Sequence, residues 1–201
     1  MTQHVYARLA GHGLAIVPKT PFHFERLTTS DVPLRVGHGD ATGVLSAYSQ
    51  AAHELSTVAD VEAGPMHEYW AIETSAFRSI WPIGYVVHYD PSGPPGFYLL
   101  SKNQAMIFAQ GPFLSAKIPA PEHMVGPGQS LVAVGDTGSI AWADFTYLHE
   151  GQVWAQRHHI VSLATGKKIV VTFQAPQAVA LRELEAGLGF ITTIGVPQGA
   201  A

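Results

Sequence analysis

The chain has 201 residues, no cysteine and a formal net charge of −4. This length suits a single domain over residues 1–201, and a chain of this size buries roughly 70% of its unfolded surface, so it needs no disulfide or structural metal to fold. The lack of cysteine excludes thiolate nucleophiles and thiolate metal sites. With only 11 Lys and Arg, scattered along the chain, we expect no nucleic-acid binding, because phosphate contacts need clustered cations.

Charged residues make up 13% of the chain, against about 25% in an average soluble domain. Weakly charged surfaces favour association, so a homodimer or a permanently bound protein partner is expected. The N-terminal apolar stretch is interrupted by Arg8 and His12, which is not typical of a signal peptide. No window approaches about 18 uninterrupted apolar residues, so we expect no membrane span and a cytoplasmic location.

The first 76 residues predict short strands, at 13–17 and 22–27, followed by one helix over 41–59. Asp40 is a suitable N-cap, and apolar residues recur at spacings of three and four. These residues are Val44, Tyr48, Ala51, Leu55 and Val58. The glycine-rich run 37–43 before this helix is either a simple turn or an anion site at the helix N-terminus.

Residues 69–118 are interpreted as strands broken by turns, at 77–81, 85–89 and 97–100, with 105–109 either strand or helix. Residues 119–129 contain three Pro and two Gly, which predicts a loop and a candidate lid or binding loop.

The C-terminal part predicts three alternating strands, at 139–148, 153–162 and 168–174, joined by two-residue turns at Glu150–Gly151 and Thr165–Gly166. Pro176 suits the first turn of a last helix that ends near residue 188. The predicted fold class is therefore α+β, a central antiparallel sheet with helices packed on it.

The two turns fix the pairing of these strands. The first turn places Tyr147 opposite Trp154, Asp144 opposite Arg157, and Trp142 opposite His159. The second turn places His159 opposite Thr172 and Arg157 opposite Gln174. Because opposite residues share a face, one face would carry a polar cluster ringed by apolar residues. Its members, the candidate binding residues, are Trp142, Asp144, Arg157, His159 and Thr172.

Three interpretations of this face remain open. Asp144 and Arg157 could form a plain surface ion pair beside a spectator His159. They could instead belong to a groove in which Arg157 and Trp142 recognise a small ligand or a protein segment. In the third, a small hydrolase or isomerase uses His159 as a base oriented by Asp144.

Metal binding is weighed from the 11 histidines. Adjacent strand residues such as His158 and His159 point to opposite faces and cannot easily share one ion. No His-Glu-x-x-His motif is present. A metal-binding protein built on distant histidines stays an alternative, but we expect no metal and no cofactor.

Two segments resemble the PsbP-like superfamily. Residues 77–85, with Trp81, Pro82, Gly84 and Tyr85, resemble the strand that opens such a domain, and residues 151–176 resemble its closing hairpin with a Thr-x-x-Ala-Pro step. The resemblance covers 77–194 and leaves 1–76 outside. It implies an α/β/α sandwich and a non-catalytic binding role, since the superfamily includes a photosystem accessory subunit, a Ran-binding import factor and bacterial chaperone-adaptors for effectors. It carries over no site residue.

Overall fold

A computed structural model describes part of the chain. Backbone is described at residues 7–9, 13–15, 22–26, 34–38, 41–45, 60–63, 70–74, 77–89 and 97–196. Side-chain burial is described at 71–72, 77–87 and 98–196. All structural statements below concern these residues.

The N-terminal part that the structure describes consists of short strands. They are β1 (Ala7–Leu9), β2 (Gly13–Ala15), β3 (Phe22–Arg26), β4 (Leu34–His38), β5 (Ala41–Leu45), β6 (Asp60–Ala63), β7 (Trp70–Thr74) and β8 (Arg78–Ile80). Five of them form one sheet in the order β2-β1-β3-β7-β8, in which β1 and β3 are parallel. The strands predicted near residues 13, 22 and 78 are confirmed.

The helix predicted over 41–59 is wrong at its start. Residues Ala41–Leu45 form β5, which pairs antiparallel with β4 and sets His38 opposite Ala41. Gly43 and the β-branched Thr42 and Val44 disfavour a helix here, because such residues have low helix propensity. The predicted anion site needs a helix that begins at residue 41, and the structure has a strand there. The rest of the predicted helix, residues 46–59, lies outside the described part.

The C-terminal part forms an antiparallel sheet of seven strands. They are β9 (Tyr85–Tyr89), β10 (Phe97–Ser101), β11 (Met106–Leu114), β12 (Ser130–Asp136), β13 (Ile140–His149), β14 (Gln152–Ser162) and β15 (Lys167–Pro176). Their order is β12-β13-β14-β15-β11-β10-β9, and β6, β4 and β5 continue the sheet beyond β9. The predicted antiparallel sheet is confirmed, and the ambiguous segment 105–109 belongs to strand β11.

Within the described residues there is one α-helix, α1 (Ala180–Thr192), so the fold is α+β. The helix begins later than predicted, because Pro176 ends β15 opposite Trp154 instead of opening the helix. Gln177 then donates its backbone N–H to Val153 O at 2.9 Å, which holds the chain at the sheet before it turns. The loop 119–129 contains a 3-10 helix, Pro121–Met124, that contacts β13 and β14.

The main core lies between α1 and one face of the sheet. Phe190, Leu184 and Ala180 of the helix belong to the same buried cluster as Phe173 and Ile107 of the strands. Burial of each such large side chain stabilises the fold by about 1.5–3 kcal/mol, so this layer fixes where α1 lies.

The turn between β13 and β14 is as predicted. Glu150 and Gly151 have φ values of 51° and 77°, as a two-residue type I′ turn requires. His149 lies opposite Gln152, Tyr147 opposite Trp154, and the rings of that second pair stack with centroids 6.4 Å apart.

The turn between β14 and β15 is one residue longer than predicted. Leu163 N–H donates to Lys167 O at 2.8 Å, which leaves a three-residue loop that ends at Gly166 with φ 74°. One additional loop residue shifts the pairing by one and exchanges the faces of β15. His158, not His159, therefore lies opposite Thr172, and Arg157 lies opposite Phe173 instead of Gln174.

None of the helices in the described part is long and apolar enough to cross a lipid bilayer.

Gly187 and Gly189 of α1 give a matched test of helix packing. A Cβ at Gly187 would lie 2.6 Å from Ile107 Cδ1, whereas a Cβ at Gly189 meets nothing within 4 Å. We expect Gly187→Leu to lower the free energy of unfolding by about 1–3 kcal/mol through overpacking. Gly189→Leu should raise it by about 0.5–1 kcal/mol through helix propensity. Urea unfolding measures both, and equal effects of the two substitutions would contradict this packing of α1.

Candidate binding site

The predicted pair of acid and guanidinium exists between β13 and β14. Arg157 Nε donates to Asp144 Oδ1 at 2.5 Å, and Arg157 Nη2 donates to Asp144 Oδ2 at 2.7 Å. This two-bond geometry orients both planar groups. The side chains are 22% and 26% exposed, so the pair is half-buried and partly open to solvent.

Trp142 lies on the other side of the same guanidinium. Arg157 Cζ is 4.1 Å from the centre of the Trp142 ring, a cation–π contact. Within the part of the chain that the structure describes, Nη1 of Arg157 has no hydrogen-bond partner. The guanidinium is thus held by an acid and a ring, and still has donors to offer a ligand.

Gly135 on the neighbouring strand supports the Trp142 ring. Gly135 lies opposite Trp142 in the β12–β13 pair, and a Cβ built at Gly135 would be 2.3 Å from Trp142 Cζ2. The indole therefore lies across the backbone of β12, where only glycine leaves room. We call Gly135, Trp142, Arg157 and Asp144 the stack, since each packs on the next.

His159 shares the face of the stack but is buried. It lies opposite Trp142, is 2% exposed, and its Nδ1 has no hydrogen-bond partner among the described residues. Burial, and then the positive charge of Arg157, lower the pKa of His159 to about 4, while Asp144 and a bond to the Val171 backbone act in the opposite direction. The ring is therefore neutral at physiological pH.

Thr172 does not belong to the site, which corrects the prediction. Its hydroxyl lies 3.0 Å from His158 Nδ1 on the opposite face of the sheet, and Gln156 Nε2 lies 2.7 Å from the other ring nitrogen. The one-residue shift of β15 causes this exchange. Burial lowers the pKa of His158 too, and its ring packs edge-on against Phe145 at 5.6 Å.

The shift also places apolar side chains beside the stack. Phe173 now lies opposite Arg157, and α1 packs over it, so a groove runs between the N-terminal half of α1 and strands β13 and β14. The groove has a volume of about 170 Å³ and is mostly apolar. Besides Asp144 and Arg157 it is lined by Val132, Phe145, Thr146, Ala155, Gln156, Phe173, Gln177, Ala180, Leu181 and Leu184.

Sequence reasoning missed the helix side of this groove. Ala180, Leu181 and Leu184 fall in the predicted last helix, but no pattern showed which strands that helix would cover. The apolar Leu181, largely exposed at the rim, is the signal that sequence could have used, since it interrupts the polar face of α1.

The catalytic alternative needs a hydrogen bond between His159 and Asp144. Both Asp144 oxygens are bonded to Arg157, and in the described structure no hydrogen bond joins Asp144 to His159. His159 also does not line the groove. Among the described residues, no group of three His, Asp or Glu side chains is placed to hold a metal ion.

Comparisons with known proteins add little. No protein-family model matches the chain, and no curated protein matches it in sequence. Among solved structures, the crystal structure of LpqN, involved in cell envelope biogenesis of Mycobacterium tuberculosis, is similar with a TM-score of 0.35. The two are 12% identical over 97% of this chain and 91% of that chain. So low a score carries no argument about fold or function.

Gly135→Ala tests the stack. Alanine ordinarily stabilises a strand relative to glycine, but here it would displace the Trp142 ring, so we expect the free energy of unfolding to fall by about 1–3 kcal/mol. In a Trp142→Ala background the same substitution should be neutral or stabilising. The double-mutant cycle, measured by chemical denaturation, isolates this contact. A loss of equal size in both backgrounds would show that the ring does not lie on Gly135.

His159→Phe tests the buried neutral histidine through pH. The unfolded chain binds a proton at His159 near pH 6.5, but the folded protein does so only near 4, so the unfolded state holds more protons between these values. Stability should therefore fall as pH drops through this window, by ~3 kcal/mol from this residue.

We expect His159→Phe to lose that share of the pH dependence, measured by urea unfolding at about pH 7 and about pH 4. The exposed His123 provides the control, and His123→Gln should keep the wild-type dependence. An unchanged slope in His159→Phe would mean that the folded protein protonates His159 readily.

Proposed function

We propose that this chain is a non-catalytic binding or adaptor protein, and that the groove beside the stack takes a ligand or partner side chain with an apolar body and an acidic group. One observation carries the proposal: an arginine fixed on two sides, whose Nη1 has no hydrogen-bond partner among the described residues, lies at the edge of an apolar groove. Ligand sites combine apolar walls with a few fixed polar groups in this way.

Size and charge narrow the ligand. A groove of about 170 Å³ is smaller than typical drug-sized sites of roughly 300–1,000 Å³, so it suits one large side chain or a short acyl or aryl group. Asp144 neutralises most of the charge of Arg157, so the acid of the ligand would share the guanidinium rather than replace Asp144.

The geometry favours binding over catalysis. A general base must reach the proton it removes, yet His159 lies 2% exposed and away from the groove. The only other charged groups lining the groove are already bonded to each other. The hydrolase or isomerase thus has no exposed base among the residues that line this groove.

The resemblance to the PsbP-like superfamily supports the same proposal. We propose the α/β/α sandwich of that superfamily as the finer fold. α1 would form one helical layer, and the 3-10 helix Pro121–Met124 contacts β13 and β14. A chaperone-like role toward a protein partner and a cytoplasmic location belong to this proposal as well.

Hexanoate and hexan-1-ol are matched probes for the groove, equal in apolar body and different in charge. On titration with either probe, we expect saturable chemical-shift changes of the backbone amides around Arg157 and Ala155. Hexanoate should bind about tenfold more tightly than hexan-1-ol, because a charge-assisted hydrogen bond to Arg157 contributes ~1.5 kcal/mol. Arg157→Gln should abolish the preference but keep weak binding of the alcohol.

Ala155→Leu fills the groove and should remove binding of both probes. Val153→Phe provides the control, because it also adds a large apolar group on the same strand, at a half-exposed position outside the groove lining. Shifts that cluster elsewhere, or that survive in Ala155→Leu, would refute the groove as the binding site.

A further inference from the structure

β12 is an edge strand. It pairs with β13 on one side, and among the strands that the structure describes none lies on its other side. Its apolar residues are exposed: Leu131, Val132 and Val134 are 49%, 62% and 54% exposed. An open strand edge offers a row of backbone donors and acceptors for pairing with another strand.

The side-chain protections of such an edge are weak in β12. Residues 130–136 include no proline and no lysine. Their single charge, Asp136, lies at the strand end, where its carboxylate accepts the backbone N–H of Gly138 in the following turn at 2.5 Å. A bulge at Val132 interrupts the pairing with β13, so the regular part of the edge runs from Ala133 to Asp136.

The residues of this regular part suit antiparallel pairing with the same strand of a second copy of the chain. In an antiparallel pair centred on Val134, Val134 lies opposite its own copy on one face. On the other face Ala133 lies opposite Gly135 of the second copy. Both are small, which leaves room for the Trp142 ring that lies over Gly135. The bulge falls at the end of this pair and does not interrupt it.

Charge also permits the pairing. The two Asp136 residues would be four positions apart along the strands, or ~13 Å at about 3.3 Å per residue. This exceeds the Debye length of about 8 Å at physiological salt, so their repulsion is screened. We infer that β12 is a dimer interface, which joins the sheets of two copies of this chain antiparallel about a two-fold axis at Val134. This inference does not depend on a ligand in the groove.

Analytical ultracentrifugation of the whole chain tests the interface. We expect a dimer for the wild type and a monomer for Val134→Lys, because the two lysines would lie directly opposite each other at the centre of the pair. Leu148→Lys is the control: Leu148 is 70% exposed on β13, away from the edge, and its variant should remain a dimer. A monomeric wild type, or a dimeric Val134→Lys, overturns the inference.

Cysteine cross-linking gives a second measurement that does not rely on disrupting the dimer. The chain has no cysteine, so a single introduced thiol can react only with its copy. Opposite residues of an antiparallel pair lie about 4.5–5.5 Å apart at Cα, within the range of a disulfide. Under mild oxidation Val134→Cys should form a covalent dimer at least tenfold faster than Leu148→Cys. Equal rates would exclude pairing centred on Val134, and an extended peptide of another protein would then be the better occupant of β12.

Discussion

The structure depends on the pairing of β15 with β14, which the turn ending at Gly166 determines. With three residues in this turn, Arg157 lies opposite Phe173, and the apolar residues of β15 share a face with the stack. α1 covers that face because Phe173 and Ile107 offer it a core. The groove exists because the helix covers β15 but leaves Arg157 of β14 at its margin. A two-residue turn would have put Phe173 on the other face and left the stack on an open sheet.

Half of this arrangement could be predicted from the sequence. The Glu150–Gly151 turn has a strong local signal, because a two-residue turn needs positive φ at both positions and glycine supplies one of them. From it the pairs Asp144–Arg157 and Trp142–His159 follow. Thr165–Gly166 gives the same signal, but glycine also closes three-residue turns. The choice between the two turn lengths shifts the pairing of β15 by one residue, and this shift removed Thr172 from the predicted site. The start of α1 was missed for a related reason: Pro176 is compatible with a strand end and with a helix start, and hydrogen bonding of Gln177 to Val153 decides between them.

The adjacent histidines show how one strand divides polar groups between two faces. His158 satisfies both ring nitrogens with Gln156 and Thr172, so its burial costs little. His159 is more deeply buried and leaves Nδ1 without a partner among the described residues, a cost that a purely structural site would avoid by using an apolar residue. His159 lies opposite Trp142 and two residues from Arg157 on the same face, so this cost falls next to the stack.

Strand β12 connects the recognition chemistry to the edge of the sheet. Gly135 supports the Trp142 ring, and Val132 of the same strand forms part of the groove wall. An edge strand is held on one side only, so it is less constrained than the central strands whose residues it supports. Pairing of β12 with another strand would restrain Gly135 and, through the indole, the orientation of Arg157. The guanidinium that would give the proposed groove its preference for an acid would then be better ordered when β12 is paired, and assembly would be coupled to recognition.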